Sequence, residues 1–222
     1  DLANVEMKGL LATCDGVDTV YHCAGYAHAW GERDSKSTTR HWQINFEGTR
    51  KLVEAAAQSG VRRFIFLSSV KAAGESGMGC VDEEWSALPT SSYGRAKRAA
   101  EEAVLEAGAK YGMHAVNLRL AMVYGSGGHG NLERMVRMIS AGWFPPLPET
   151  KNKRSLVHVD DVVSAIECVA QREEASGKTY IIADQIAYSG RELYDHIRAA
   201  LALKPVNFSV PIASLRWLAG CG

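Results

Sequence analysis

The chain has 222 residues, 46% of them hydrophobic and 23% charged, enough to bury a sizeable core in one large domain or in one domain with a small appendage. Its 25 basic residues balance 25 acidic ones, so no net charge drives it to nucleic acid or a membrane surface, and small molecules or other proteins are the expected partners. The cysteines (Cys14, Cys23, Cys80, Cys168 and Cys221) are odd in number and form no C-x-x-C pair, which argues against disulfides and structural zinc and for a reducing, cytoplasmic setting.

No apolar run approaches the roughly 18 residues of a membrane span, and the first residues show no basic-then-apolar leader pattern. Along the chain, short apolar runs alternate with amphipathic helices. Val17 to Ala24 reads as a strand, Ser37 to Ser59 as a helix with Ile44, Leu52, Val53 and Ala56 on one face, and Phe64 to Leu67 as a buried strand. Ser92 to Tyr111 is an alanine-rich helix, His114 to Leu120 a strand and Asn131 to Ala141 a helix. Asp160 to Gln171 is helical, Thr179 to Ala183 extended and Gly190 to Leu203 helical again. Gly142 to Arg154 carries three of the six prolines and reads as a loop over a second, smaller region. This alternation predicts an α/β fold, a parallel sheet covered by helices.

Two stretches could carry chemistry. Gly125, Gly127 and Gly130 reproduce the G-x-G-x-x-G spacing of a pyrophosphate loop. A true fingerprint follows the first strand of its βαβ unit and has an acidic residue about 20 positions on, on a second strand. Glu149 stands near that distance but falls in the proline-rich loop, which counts against the glycines as a pyrophosphate loop. The sharper signal runs from Ser68 to Lys97. Tyr93 and Lys97 stand four apart on a predicted helix and share a face. An ammonium beside a phenol favours the phenolate, bringing tyrosine toward the range of a general base. Ser68 and Ser69 end a buried strand, where parallel sheets bind ligands; the plainer alternative is a pair of strand-end caps.

In sequence, FIFLSSVKAAGE followed by SSYGRAKRAAE resembles the extended short-chain dehydrogenase/reductase family, in particular its nucleotide-sugar epimerases and 4-keto reductases. DTVYHCAG, NFEGTRKLVEAA, LRLAMVYG and RSLVHVDDVVSAI agree in order and spacing, so the resemblance covers nearly the whole chain. It implies a Rossmann-type doubly wound parallel sheet, with residues 1–124 and 155–184 forming a partial dinucleotide-binding domain and residues 125–154 and 185–222 a substrate lobe. It implies NAD or NADP as cofactor, a UDP-linked nucleotide-sugar substrate and a homodimer.

By the same resemblance Tyr93 exchanges a proton with the sugar oxygen, and Lys97 holds the nicotinamide ribose and lowers the Tyr93 pKa. Ser69, a better match than Ser68, hydrogen-bonds the reacting oxygen, and Asn45 supports the site; without the family, Asn45 would read as a solvent-facing helix residue. Asp1, Leu2, Cys23, Ala24, Gly25, Leu120 and Val123 line the cofactor. Asn131, Leu132 and Arg154 take the nucleotide diphosphate, since a helix start and a guanidinium both suit an anion. His158 is expected to be a packing residue, and no metal is expected.

The sequence also departs from the family pattern. No G-x-x-G-x-x-G precedes the first strand, and Asp1-Leu2 resembles the pair that follows the third strand and contacts adenine. The expectation is a fragment short of its first βαβ unit and the next helix and strand, on the order of 50 residues, inactive alone and lacking the residue that chooses NAD or NADP. VDTVYHC then becomes an exposed sheet edge. Leu120 replaces a proline common after the arginine, and Ala27 a lysine found in some epimerases. The alternatives are a reductase of a non-sugar ketone, of steroid or flavonoid type, and a non-catalytic binding protein derived from the fold.

Overall fold

The computed structural model describes residues 2–27, 35–77, 79–85, 87–128, 130–150 and 152–211. Asp1, expected at the adenine, lies outside the described residues. The chain divides into two compact units, residues 1–121 with 161–182 and residues 122–160 with 183–222.

In the first unit a short helix α1 (Met7–Cys14) leads into strand β1 (Thr19–His22). A long helical stretch follows: α2 (Ser35–His41), a π-helical segment Trp42–Gly48, and α3 (Thr49–Gln58). Next come β2 (Arg63–Ser69), α4 (Ser92–Tyr111) and β3 (His114–Leu120). The later helix α6 (Val159–Gln171) and strand β6 (Thr179–Ile182) complete it. Strands run parallel in the order β1-β2-β3-β6, the helix-covered parallel sheet that the alternation predicted and the Rossmann-like arrangement that the resemblance implied. Side chains alternate between the sheet's faces. Phe64 and Phe66 therefore join Val53, Ala56, Ala100 and Val104 of α3 and α4 in one core, while Ile65 joins Val116, Leu118, Val169 and Ala170 in the other. Each of these side chains is buried, and helices on both faces make the unit three-layered.

Local chemistry sets the boundaries of α4. The Ser91 hydroxyl accepts from Gly94 N–H at 3.0 Å, and Gly112 ends the helix in the left-handed conformation at φ 66°. Near the helix's end, a Cβ on Gly108 would stand 2.5 Å from that of Ala115, so glycine is what lets α4 lie flat on β3. β1 has no strand on its outer side among the described residues. At the opposite edge the Glu83 carboxylate accepts from Ile181 N–H at 2.8 Å, covering a donor that an edge strand leaves open.

The second unit holds β4 (Met122–Tyr124), α5 (Asn131–Ser140), β5 (Arg154–His158), β7 (Ala187–Tyr188) and α7 (Gly190–Ala200). β4 pairs parallel and β5–β7 antiparallel in a three-stranded sheet. This sheet corrects two expectations. Arg154 begins a strand rather than closing a loop, and residues 155–160 belong to the second unit, so the chain rejoins the first only at 161. β4, β5 and β7, of three, five and two residues, are too short to show a period, and α1 buries only Leu10 and Cys14.

Candidate active site

β2 delivers two adjacent serines with opposite fates. Ser68 is buried and donates to Glu101 Oε1 at 2.5 Å, whereas the half-buried Ser69 lies near enough to the Tyr93 phenol for its hydroxyl to lower that group's pKa. Strand alternation explains the split, because one side chain turns inward and the next emerges at the carboxyl end of the sheet. Ser69 also accepts from Lys71 N–H at 3.3 Å, capping the 3₁₀ turn Val70–Ala73.

Tyr93 and Lys97 share a face of α4. Lys97 Nζ donates to the Leu67 carbonyl at 2.8 Å and lies 4.4 Å from the centre of the Phe66 ring. Burial pushes this ammonium down to about 8, with Glu101 and then Cys23 opposing the shift. One bond to Leu67 leaves two of its three protons for a ligand.

The Tyr93 phenol differs from expectation. Burial raises its pKa, the Ser69 hydroxyl opposes this, and Lys97 has no part in the shift. Desolvation disfavours the phenolate, and the Lys97 ammonium is engaged by the Leu67 carbonyl and the Phe66 ring. In the protein alone Tyr93 is therefore a phenol at neutral pH, set to donate a proton.

Asn45 lies within the π-helical segment and is 1% exposed, which excludes a solvent-facing role. Its Oδ1 accepts from Tyr26 N–H at 2.7 Å and its Nδ2 donates to Tyr26 C=O at 2.9 Å, pinning the loop that leaves β1. A single π-helical turn inside a longer helix is a common mark of functional sites. The loop's Gly25 sits so close that a Cβ there would be 3.2 Å from Asn45 Oδ1 and 3.6 Å from Lys97 Nζ. Cys23 and Ala24 are exposed beside it, with burial still raising the Cys23 thiol. Leu2 meets the far end of the π-helical segment, where a Cβ on Gly48 would fall 2.8 Å from its own.

Ser69, Tyr93, Lys97, Asn45, Cys23 and Gly25 thus converge within the first unit. Leu120 ends β3 half-buried, and Val123 lies exposed on β4 of the second unit. That unit holds a cavity of about 430 Å³ lined by Asn131, Leu132, Phe144, Leu147, Arg154 and Leu193. Asn131 is the first residue of α5, but Glu133 in the same turn offsets part of that helix end's attraction for an anion. Gly125 packs against Val159, where a Cβ would fall 2.5 Å from Cγ1, at φ 148°. Its need for glycine is therefore steric and conformational. His158 packs edge-on to Tyr124 at 5.1 Å.

Three neighbours of the site were not singled out from sequence. His41 is buried edge-on to Tyr93 at 5.5 Å, and its Nδ1 donates to Tyr26 C=O at 3.1 Å. His22 stacks on Phe66 at 5.3 Å and bonds Thr49 Oγ1 at 2.8 Å. Glu101 stands one turn past Lys97, paired with Arg119. Its i+4 spacing from Lys97 was the one available signal; the two histidines had none.

Residues 2–183 match the family described as NAD dependent epimerase/dehydratase. A UDP-glucose 4-epimerase of Vibrio cholerae is 33% identical over 198 residues, which are 87% of this chain and 60% of that protein. The structure of MoeE5 in complex with UDP-glucose and NAD aligns at a TM-score of 0.79 and 26% identity, over 92% of this chain and 68% of that one. A UDP-glucose 4-epimerase from Thermus thermophilus, in complex with NAD, shares the fold at a TM-score of 0.79 and 24% identity, over 95% of this chain and 70% of that one. The chain spans about three-fifths of the length of the first curated relatives it matches. With the parallel sheet and the match over residues 2–183, the chain belongs to the NAD dependent epimerase/dehydratase family.

Proposed function

We propose that the protein is part of an NAD(P)-dependent nucleotide-sugar epimerase or 4-keto reductase acting on a UDP-sugar. The observation that carries this reading is the convergence of Ser69 at the carboxyl end of β2 with Tyr93 and the buried Lys97 ammonium on one face of α4. The cofactor fits on chemical grounds: Gly25 leaves room for a ligand near Lys97 Nζ, and two ammonium protons remain for ribose hydroxyls. NAD, when bound there, would supply reversible hydride exchange with a sugar carbon.

Tyr93 moves the matching proton between its hydroxyl and the sugar oxygen, while Ser69 holds that oxygen by hydrogen bonding. Because burial favours the phenol, Tyr93 is poised to protonate a ketone, and the oxidative direction gains as pH rises toward the raised Tyr93 pKa. Asn45 keeps the β1 exit loop in place, so the loop's backbone does not have to be ordered when cofactor binds. In the second unit the apolar lining of the cavity with Leu132, Phe144 and Leu147 suits a nucleobase, and Arg154 suits a diphosphate.

Support for the UDP-sugar comes from the Vibrio cholerae relative, named for UDP-glucose, and from MoeE5, whose structure is a complex with UDP-glucose and NAD. No helix among the described residues is long and apolar enough to cross a membrane, and the four described cysteines are free, which fits the cytoplasmic placement included in this reading. The reading also includes a homodimer, which sedimentation equilibrium tests. The functional test supplies NAD or NADP with UDP-glucose and UDP-galactose and follows their interconversion and any reduced sugar. Turnover of a UDP-sugar supports the reading. Binding of steroid or flavonoid ketones in preference to UDP-sugars would replace it with a non-sugar reductase.

A further inference from the structure

We propose that Glu101 is a positioning residue of the Tyr93–Lys97 site, clamped by Arg119 and Ser68 so that its carboxylate holds α4 in register and faces the buried Lys97 ammonium as its counter-charge. The proposal rests on the reading of Tyr93 and Lys97 given above.

Tyr93, Lys97 and Glu101 are spaced by four and follow one face of α4. Their anchors follow one another on β2. Lys97 Nζ bonds Leu67 C=O at 2.8 Å and Glu101 Oε1 accepts from Ser68 at 2.5 Å, directly before Ser69. The β2–β3 register places Arg119 opposite Ser68, which brings its guanidinium onto the same carboxylate at 2.9 Å from Nη2 and 3.1 Å from Nε. Asn117 of β3 adds a bond from Nδ2 to the Glu101 carbonyl at 3.2 Å. A slip of α4 by one residue would break all of these contacts and carry Tyr93 away from Ser69.

Stability alone is a weak reason for such an arrangement. The side chains of Arg119 and Glu101 are 5% and 3% exposed, and buried pairs can often be replaced by apolar residues without loss. Arg119 Nη1 also has no hydrogen-bond partner among the described residues, so the pair is not tuned for stability. Its use lies with Lys97. Among the described residues, the groups that act on that ammonium or answer to it are Glu101 on its own helix and Cys23 and His22 at the end of β1; Tyr93 stands one turn before it on α4, and Arg119 on β3 is engaged by Glu101. Glu101 is the strongest influence keeping the proton on Lys97 against burial.

The experiment labels the protein with carbon-13 lysine and titrates Lys97 by NMR in the parent and in Glu101→Gln, Glu101→Asp and Ser68→Ala. Glu101→Gln is expected to move the Lys97 midpoint below its parent position at about 8, and Glu101→Asp to restore part of the shift. Ser68→Ala removes one contact of the same carboxylate without changing charge, and because Arg119 still holds both carboxylate oxygens the midpoint is expected to stay in place. An unmoved midpoint in Glu101→Gln, or an equal shift in Ser68→Ala, overturns the proposal. Should Glu101→Gln not fold, Glu101→Asp answers the same question through a smaller downward shift of the Lys97 midpoint, and an unmoved midpoint there overturns the proposal. The titration needs no turnover, so a failure here leaves the redox reading standing, while a failure of that reading leaves the titration result intact.

Discussion

Replacing Asn45 by alanine tests whether the π-helical segment is built around the loop that leaves β1. Asn45 is 1% exposed and makes two bonds to the backbone of Tyr26, at 2.7 and 2.9 Å. The two losses are unequal. Tyr26 C=O keeps the His41 Nδ1 donor at 3.1 Å, so it is not orphaned. Tyr26 N–H loses the Asn45 oxygen, and a hydrogen bond of this kind is worth roughly 0.5–1.5 kcal/mol, with about as much again for the second bond. A total of about 2 kcal/mol corresponds to roughly 4–8 °C in melting temperature for a domain of this size. Differential scanning calorimetry on parent and variant measures it, and NADH fluorescence titration reports whether loosening the loop also weakens cofactor binding. A melting temperature within about 1 °C of the parent, the behaviour of a solvent-facing helix residue, would refute the argument.

The remaining predictions concern pH, the nucleotide and the acid/base. His22 is held down to about 4 by burial and then by Lys97, against 6.5 for an ordinary histidine. The unfolded chain therefore takes up a proton first, so this contribution to stability is complete above about pH 6.5 and lost as pH falls toward 4, amounting to about 3 kcal/mol. Urea melts from pH 7 to 4 should show that slope in the parent and a shallower one in His22→Gln; equal slopes would remove His22 from the account. Arg154→Gln should weaken UDP binding roughly 10- to 100-fold in calorimetric titration, the usual worth of a charged hydrogen bond to phosphate, and leave NADH binding alone. Unchanged UDP affinity would detach Arg154 from the nucleotide. Tyr93→Phe should cut turnover roughly 10²- to 10⁴-fold with UDP-sugar binding retained, and near-parental turnover would remove Tyr93 from catalysis.

The legible parts of this molecule were those governed by local signals. Ser91 and Gly112 fixed both ends of α4, and its bounds follow from sequence alone. The apolar run of β3 was equally plain because every residue but the last is buried. The tyrosine–lysine spacing and the serine pair stood out because helix and strand periods place them without tertiary information. What stayed hidden depends on distant partners. The π-helical segment is set by Asn45 reaching Tyr26, and β5 becomes a strand by pairing with β4 and β7. The direction of the Tyr93 shift could not be read from an ammonium four residues away, because burial decided it.

Hydride transfer is the step on which the account stands. The complete protein mixed with NAD and UDP-glucose, in parallel with Tyr93→Phe, should give interconverted UDP-sugar or reduced nicotinamide in the parent and little or none of either in the variant. Saturating UDP-glucose binding with neither product in the parent would contradict the central claim.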